Sequence, residues 1–422
     1  MNSNSKKTLL ILTILIITLL GVFFFKPNFT EGLTLYIKEA KSLTAGIFFI
    51  DSITEEELKQ DYALAEKTEE KIKVLIVSGH DDSFWGTEFG GEVKELDLNI
   101  ELSEKLYNLF KEDDKIEAFI THDKNTGTYS EKFLSYFDKE ENNIKNFRAS
   151  HKGIMDDLIS SGLIKDEEWI IHNKAPSKTA TRLYGINKWA NENNIDIVIH
   201  VHFNDYPGRG WNKPGEYTGF SIYIPEKQFS NAKASKALGE KVFKQLNKYF
   251  PVSDLPKENI GLIEDQSLIA IGSYNTLDAA VMLIEYGYIY EARFINPKVR
   301  PKTLNEMAMQ TYVGIKNFFE ENAYNGHVPT QEKLANLPYK WENNLKNGII
   351  NNEDVLALQT ALLVEGLYPP RDKTKNQCPI NGNFGPCTQE SVKNFQETHE
   401  IKPIMGIVGP LTREKLNELY AK

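Results

Sequence analysis

An apolar run opens the chain: Thr8 to Phe25 is dominated by Leu, Ile, Val and Phe, with Lys6 and Lys7 before it and Lys26 after it. A helix of roughly 18 such residues is long enough to span a bilayer. Lysines ahead of the run keep that end on the cytoplasmic side. The pattern therefore predicts an N-terminal transmembrane helix within residues 1–26, with everything after it outside the membrane. A cleaved signal peptide is the alternative, but no small-x-small site follows the run, which ends Phe23-Phe24-Phe25-Lys26-Pro27, so the retained anchor is preferred. Residues 27–71 are polar and charged apart from the short run Ile47 to Ile50 and read as a stalk.

From Lys73 the pattern alternates between β-rich apolar runs and amphipathic periods. Strands are expected at Val74–Val77, Ala118–Thr121, Ile195–His202, Gly219–Ile224 and Ala279–Glu285, and helices at Glu95–Phe110, Thr181–Asn191, Asn231–Tyr249 and Leu304–Phe319. Such alternation predicts an α/β domain over residues 72–321, a mixed sheet flanked by helices. The stretch 123–176 is charged and helix-leaning with no strand run, and is expected as an insertion on the surface. Residues 322–350 read as a linker.

The remaining residues, 351–422, carry a short repeat: Gly382-Asn383-Phe384-Gly385-Pro386-Cys387-Thr388 against Gly406-Ile407-Val408-Gly409-Pro410-Leu411-Thr412. The glycines permit tight turns and each Thr is placed to cap a following helix, Gln389–Thr398 or Arg413–Tyr420. With Asn352–Glu365, which brings Val355, Leu358 and Leu362 to one face, a small three-helix domain results.

Composition narrows the partners. The 422 residues carry a formal net charge of -10 with no basic cluster, which disfavours nucleic acid. Oligomeric state is not legible. The two cysteines, Cys378 and Cys387, lie in one loop and are either a local disulfide, as an oxidising compartment would allow, or two free thiols. Two cysteines alone cannot build a zinc site.

Four side chains stand where an α/β sheet gathers its chemistry, at strand ends and a helix start. His80 follows the run Lys73–Val77 through the small residues Ser78 and Gly79, and Glu95 opens an amphipathic helix, with Glu88 and Glu92 as nearby rivals. His200 and His202 share one face of a strand, since side chains alternate, and the one nearer the strand's C-terminal end is the better ligand. His202 is therefore assigned to the metal and His200 to its support, the reverse staying open; Asn204 joins the same face. Glu285 ends the apolar run Val281–Ile284, where an isolated charge is costly without a task or partner, and Glu291 is its weaker rival. The other histidines, His122, His151, His172, His327 and His399, read as surface residues. Two imidazoles and a carboxylate suit Zn2+, which in catalytic sites keeps a fourth position for water. Glu285 could carry the proton of that water to a leaving amine.

The blocks Ser78-Gly79-His80, Glu95-Leu96-Asp97-Leu98-Asn99, Arg182 with Asn187, His202-Phe203-Asn204 and Leu283-Ile284-Glu285-Tyr286-Gly287 resemble the zinc-dependent N-acetylmuramoyl-L-alanine amidases that trim bacterial cell wall. The resemblance implies that His80, Glu95 and His202 hold zinc and that Glu285 is the catalytic acid and base; Arg182, His200 and Asn204 are read as supporting the site or the substrate. The sequence departs from that family's usual pattern at Val77-Ser78-Gly79-His80-Asp81-Asp82, where Asp-Pro-Gly-His-Gly-Gly is common, and at Thr121-His122, where Thr-Arg is common. His200 also stands where a small residue is usual, and 123–176 is longer than usual. Leu358-Gln359, Phe395-Gln396 and the repeated loops resemble a peptidoglycan-binding domain. Together these imply a membrane-anchored, extracytoplasmic bacterial enzyme acting on peptidoglycan. The alternatives are a zinc hydrolase of another amide, or a non-catalytic wall-binding or regulatory protein that keeps the fold.

Overall fold

A computed structural model describes residues 52–68, 70–167, 175–206, 208–320 and 336–421. The expected membrane anchor, together with His172 and His327, lies outside the described residues. Among the described residues no helix is long and apolar enough to cross a membrane.

In chain order the main elements are α1 (Glu55–Leu64), β1 (Ile72–Ser78), α2 (Glu95–Lys111), β2 (Ile116–Ile120), α3 (Glu131–Ser160), α4 (Ser177–Glu192), β3 (Ile197–Asn204), β4 (Ser221–Pro225), α5 (Ala232–Tyr249), β5 (Leu262–Asp265), β6 (Ala280–Tyr288), α6 (Arg300–Phe319), α7 (Glu353–Val364), α8 (Pro386–Thr398) and α9 (Pro410–Tyr420). The chain divides into two compact units, one of residues 51–155 and 167–422, the other of 1–50 and 156–166. Of the second, only the last turn of α3 and the turn after it are described.

Six strands form one sheet in the order β2-β1-β3-β6-β4-β5. β2, β1, β3 and β6 run parallel, β4 pairs antiparallel to β6, and β5 runs parallel to β4, so the sheet is mixed as expected. The central strands are apolar on both faces because both are covered. On one face Val74, Ile76, Ile199, Val201, Met282 and Ile284 pack with Leu98, Leu102 and Leu106 of α2, Leu238 and Val242 of α5 and Leu304 and Met307 of α6. On the other, Leu75, Val77, Val198, Val281 and Leu283 meet Tyr184, Ile186 and Trp189 of α4 and Phe133, Phe137 and Ile144 of α3.

Three readings of the sequence are corrected by this packing. The 123–176 stretch is more than a surface insertion, since α3 puts Phe133, Phe137 and Ile144 into the core; its many charges lie on the opposite side of a long amphipathic helix. The stalk ends earlier than residue 71. α1 is closed by a Thr54–Glu57 capping box and buries Leu58 and Tyr62, with Tyr62 stacked on Phe319 at 4.2 Å. The supposed linker likewise gives Leu337, Trp341 and Leu345 to the C-terminal core, and Leu345 pairs with Val408 across backbone bonds of 3.0 and 2.8 Å.

The C-terminal domain has its three helices, but two begin at Pro386 and Pro410, three residues before the predicted starts. Pro is favoured at a helix start, where its missing N–H is not needed. Thr388 and Thr412 are thereby buried inside the first turns rather than serving as N-caps. Their partners are two equivalent glutamines. Gln359 donates to Thr388 at 3.0 Å and accepts from the backbone N–H of Asn381 and Gly382 at 3.0 Å each. Gln396 donates to Thr412 at 2.9 Å and accepts from the N–H of Met405 and Gly406 at 3.0 and 2.9 Å. The repeat in the sequence is thus a repeated staple between a helix and the loop after it. A disulfide joins Cys378 to Cys387.

Candidate metal centre

The candidate ligands meet at the C-terminal ends of the parallel strands, where ligand sites of α/β sheets form. β1 ends at Ser78, and the chain turns so sharply that His80 takes φ 67°, in the left-handed region uncommon for a residue with a side chain. Two contacts hold this turn. Asn99, one turn into α2, donates to the Gly79 carbonyl at 3.0 Å, and the His122 ring lies 3.0 Å from the His80 carbonyl. A carbonyl only accepts, so His122 carries its proton on Nε2 and accepts from the Thr121 hydroxyl at Nδ1, 2.9 Å away. Burial lowers the His122 pKa to about 4, which keeps the ring neutral in this role. His122 is thus a buried support, not the surface histidine the sequence suggested.

Glu95 opens α2 and is buried. Its Oε1 lies 2.9 Å from Nε2 of His80 and 3.1 Å from Nδ1 of His202, while Oε2 accepts from the Thr87 N–H at 3.1 Å. One ligand atom from each of His80, Glu95 and His202 lies within 4.8 Å of the other two. Two glycines make the approach possible: a Cβ on Gly79 would collide with the His202 ring, and one on Gly86, which has φ +79°, would collide with Glu95 and His80. Burial alone would raise the Glu95 carboxyl, yet the His80 charge and the hydrogen bonds from both imidazoles outweigh it and hold the group well below its ordinary value. His80 is raised, its burial overcome by the Glu95 charge, whereas burial wins at His202 and lowers it.

Glu285 sits in β6 opposite His202 in β3, and opposite Ser221 in β4 on its other side. Its Oε2 is buried with no hydrogen-bond partner among the described residues. Burial, then the charges of Glu95 and Glu258, push its pKa well above the usual carboxyl range. A carboxyl with raised proton affinity holds a proton more readily than an exposed one, as a proton carrier must.

The supporting residues divide. Arg182 bonds Asp81 at 2.7 Å, and Asp81, fully buried, also accepts from the Ser83 and Phe84 N–H at 2.9 and 3.0 Å, which fixes the loop leaving His80. Asn204 turns to Glu258, donating at 3.0 Å. His200 is fully buried on the face below His202, and neither ring nitrogen has a partner among the described residues; burial lowers its pKa to about 3. Asn187 lies away from the centre, tying α4 to Ile269 and Thr276. Glu88 and Glu92 do not join the cluster of possible ligands. Glu291 instead accepts from the Gly219 and Tyr288 N–H and pairs with the buried Arg293 at 2.8 Å.

Asp81, His122 and Glu258 were missed from the sequence. Asp81 had a signal, the Asp-x-Ser spacing of an Asx turn. Glu258 had none: it lies in a polar loop, and only folding gathers Asn204, Ser253, Tyr223 and Tyr288 around it.

Comparison with known proteins adds family to geometry. Residues 157–317 match the N-acetylmuramoyl-L-alanine amidase model, and residues 351–416 match a peptidoglycan binding domain. No curated protein matches. Solved structures similar to the chain include an N-acetylmuramoyl-L-alanine amidase from Clostridium difficile 630, with 16% identity over 60% of this chain and 99% of that one, at TM-score 0.38. AmiC2 of Nostoc punctiforme aligns with 15% identity over 60% and 98%, at TM-score 0.36. Ami1 from Mycobacterium smegmatis aligns with 12% identity over 60% and 100%, at TM-score 0.37. The amidase match includes His202 and Glu285, while His80 and Glu95, which precede it, are brought to them by β1 and α2. The chain carries an N-acetylmuramoyl-L-alanine amidase domain followed by a peptidoglycan-binding domain, and is a cell-wall hydrolase.

Proposed function

We propose that His80, Glu95 and His202 hold zinc, and that Glu285 moves the proton as the amide between the lactyl group of N-acetylmuramic acid and L-alanine is cleaved. The observation that carries this is the convergence of the three donors, with Glu285 registered beside His202 and its buried Oε2 without a hydrogen-bond partner among the described residues. The donor set fits: two imidazole nitrogens and one carboxylate oxygen are a common zinc combination, and the carboxylate is oriented by the Thr87 and Phe203 N–H groups. Bound zinc would supply the positive charge that acidifies water and polarises an amide carbonyl.

The chain's own groups do the rest. The Glu285 carboxylate takes the proton of the attacking water and delivers it to the departing alanine nitrogen, so that an amine rather than an amide anion leaves. Its raised proton affinity comes from burial and from the Glu95 and Glu258 charges. The C-terminal domain keeps the enzyme on the polymer, so productive encounters are frequent without a tight catalytic cleft. Peptidoglycan lies outside the membrane, and the apolar N-terminal run is the proposed anchor that keeps the enzyme there, the disulfide being suited to that compartment.

The test is metal analysis beside turnover on purified wall material. Glu285→Gln is expected to keep the metal and lose about a thousandfold in kcat. Full activity in Glu285→Gln would remove the assigned proton carrier, and metal bound without turnover in wild type would favour a binding role.

A further inference from the structure

Among the described residues, the aromatic rings left exposed are Phe84, Trp85 and Trp211, the last 60% accessible. All three lie on the two loops that flank the metal centre. Phe84 packs its ring 5.4 Å from that of His80, and the Trp85 carbonyl accepts the N–H of Leu96, next to Glu95. Trp211 belongs to the loop after His202, whose carbonyl accepts from Gly90 at 3.1 Å.

These loops are braced. Arg209 reaches from one loop to the other, bonding Asp205 at 2.6 Å, the Glu88 carbonyl at 2.5 Å and the Trp211 carbonyl at 3.1 Å, and Thr87 bonds Asp205 as well. Lys94 stands over Trp85 at 4.9 Å, taking part of that ring. Large rings held in water beside a reactive centre, by a lattice of charge-assisted bonds, mark a contact surface.

We propose that Trp85 and Trp211, with Phe84 nearest the metal, form a stacking platform for the sugar rings of the glycan strand on either side of the muramic acid being cleaved. This rests on the amidase reading of the site. In that reaction the broken amide hangs from a sugar by one lactyl group, so the polymer passing the centre is glycan on one side and peptide on the other. A sugar ring presents a face of polarised C–H groups that suits the negative face of an indole, with hydroxyls left at its edge for water. The peptide, all amides and carboxylates, calls for hydrogen-bond donors instead.

The experiment compares wild type, Trp211→Ala, Trp85→Ala/Trp211→Ala and Trp211→Phe on two substrates, uncrosslinked glycan strands bearing peptides and a single muramoyl-peptide. The alanine variants are expected to raise KM about tenfold on strands, with kcat held and KM on the single unit unchanged, and Trp211→Phe to restore most of it. Peptide-free glycan strands should also quench the fluorescence of the full-length Glu285→Gln chain, less so once Trp85 and Trp211 are removed. Wild type active on both substrates with the alanine variants unaltered would overturn the platform alone. An equal loss on both substrates would overturn it too, by showing a merely structural role. Wild type inactive on both would overturn the amidase reading and the platform with it.

Discussion

The candidate metal centre and the C-terminal domain settle their buried polar groups in opposite ways. Around the centre Ser78, His200, Ser221 and Glu285 all keep buried polar atoms without a partner among the described residues, and His80 holds a left-handed backbone. In residues 337–421 no such orphaned atom occurs among those described, and Gln359 and Gln396 each bind both the loop and the hydroxyl that follow. An unpaired buried polar group costs roughly 1–3 kcal/mol. The C-terminal scaffold sheds that cost; at the centre it has a use, because a carboxyl already satisfied by the protein has little left to offer a substrate proton.

The harshest way to break the comparison is to remove a ligand. His202→Ala is expected to lose the metal and at least about a thousandfold of activity, while the thermal transition of the C-terminal domain stays in place. Metal analysis and calorimetry on one sample would check both halves. The converse change is Gln359→Ala, which strips two backbone N–H groups and the Thr388 hydroxyl of their partner. It should cost about 3 kcal/mol of stability, seen as a lower Tm, with turnover of a single muramoyl-peptide unaltered. If Gln359→Ala were silent in Tm, the claim that the repeat is a structural staple would fail.

Arg182 tests whether the centre's support is energetic or incidental. Among the described residues its bond to the site is through Asp81, at 2.7 Å, and Asp81 in turn fixes the loop beginning at His80. Arg182→Ala would leave the buried Asp81 without its charge partner, still bonded by the Ser83 and Phe84 N–H groups, and metal affinity is expected to fall about 10–100-fold, as for other residues that orient ligands. A competitive chelator titration reads this directly, and an unchanged affinity would reduce Arg182 to packing against Tyr129.

Much of this was legible because each relevant stretch has a period. Strand runs and helical faces from residue 73 onward placed β1, β3 and β6 and hence His80, His202 and Glu285, since a strand end is a property of its own few residues. The C-terminal repeat was legible for the same reason, though Pro386 and Pro410 moved the helix starts. Hidden were groups whose roles exist only across the fold. His122 looks solvent-exposed in a sequence that cannot show the His80 carbonyl 3.0 Å away, and Glu258 acquires its four partners from four separate segments. Charge misled at α3, where a helix rich in Glu and Lys still commits one stripe to the core.

The smallest expected effect separates the centre's electrostatics from ordinary pairing elsewhere in the same domain. Asp113, in the turn after α2, is bonded by Lys316 of α6 at 2.6 Å and by Tyr312 at 3.0 Å, both away from the candidate ligands. Burial would raise its carboxyl, but the bonds from Lys316, the Lys115 N–H and Tyr312 prevail and lower its pKa. A carboxyl depressed in the folded state adds stability that is complete above its unfolded value, near about 4, and is lost as pH falls through the folded one. Asp113→Asn should therefore cost about 1.5 kcal/mol near neutrality and almost nothing once the pH is below the folded value. Denaturant unfolding of both proteins at neutral and strongly acid pH would show the gap closing. A gap of equal size at both ends would mean that Asp113 acts through shape rather than charge, leaving ionic control confined to the metal centre.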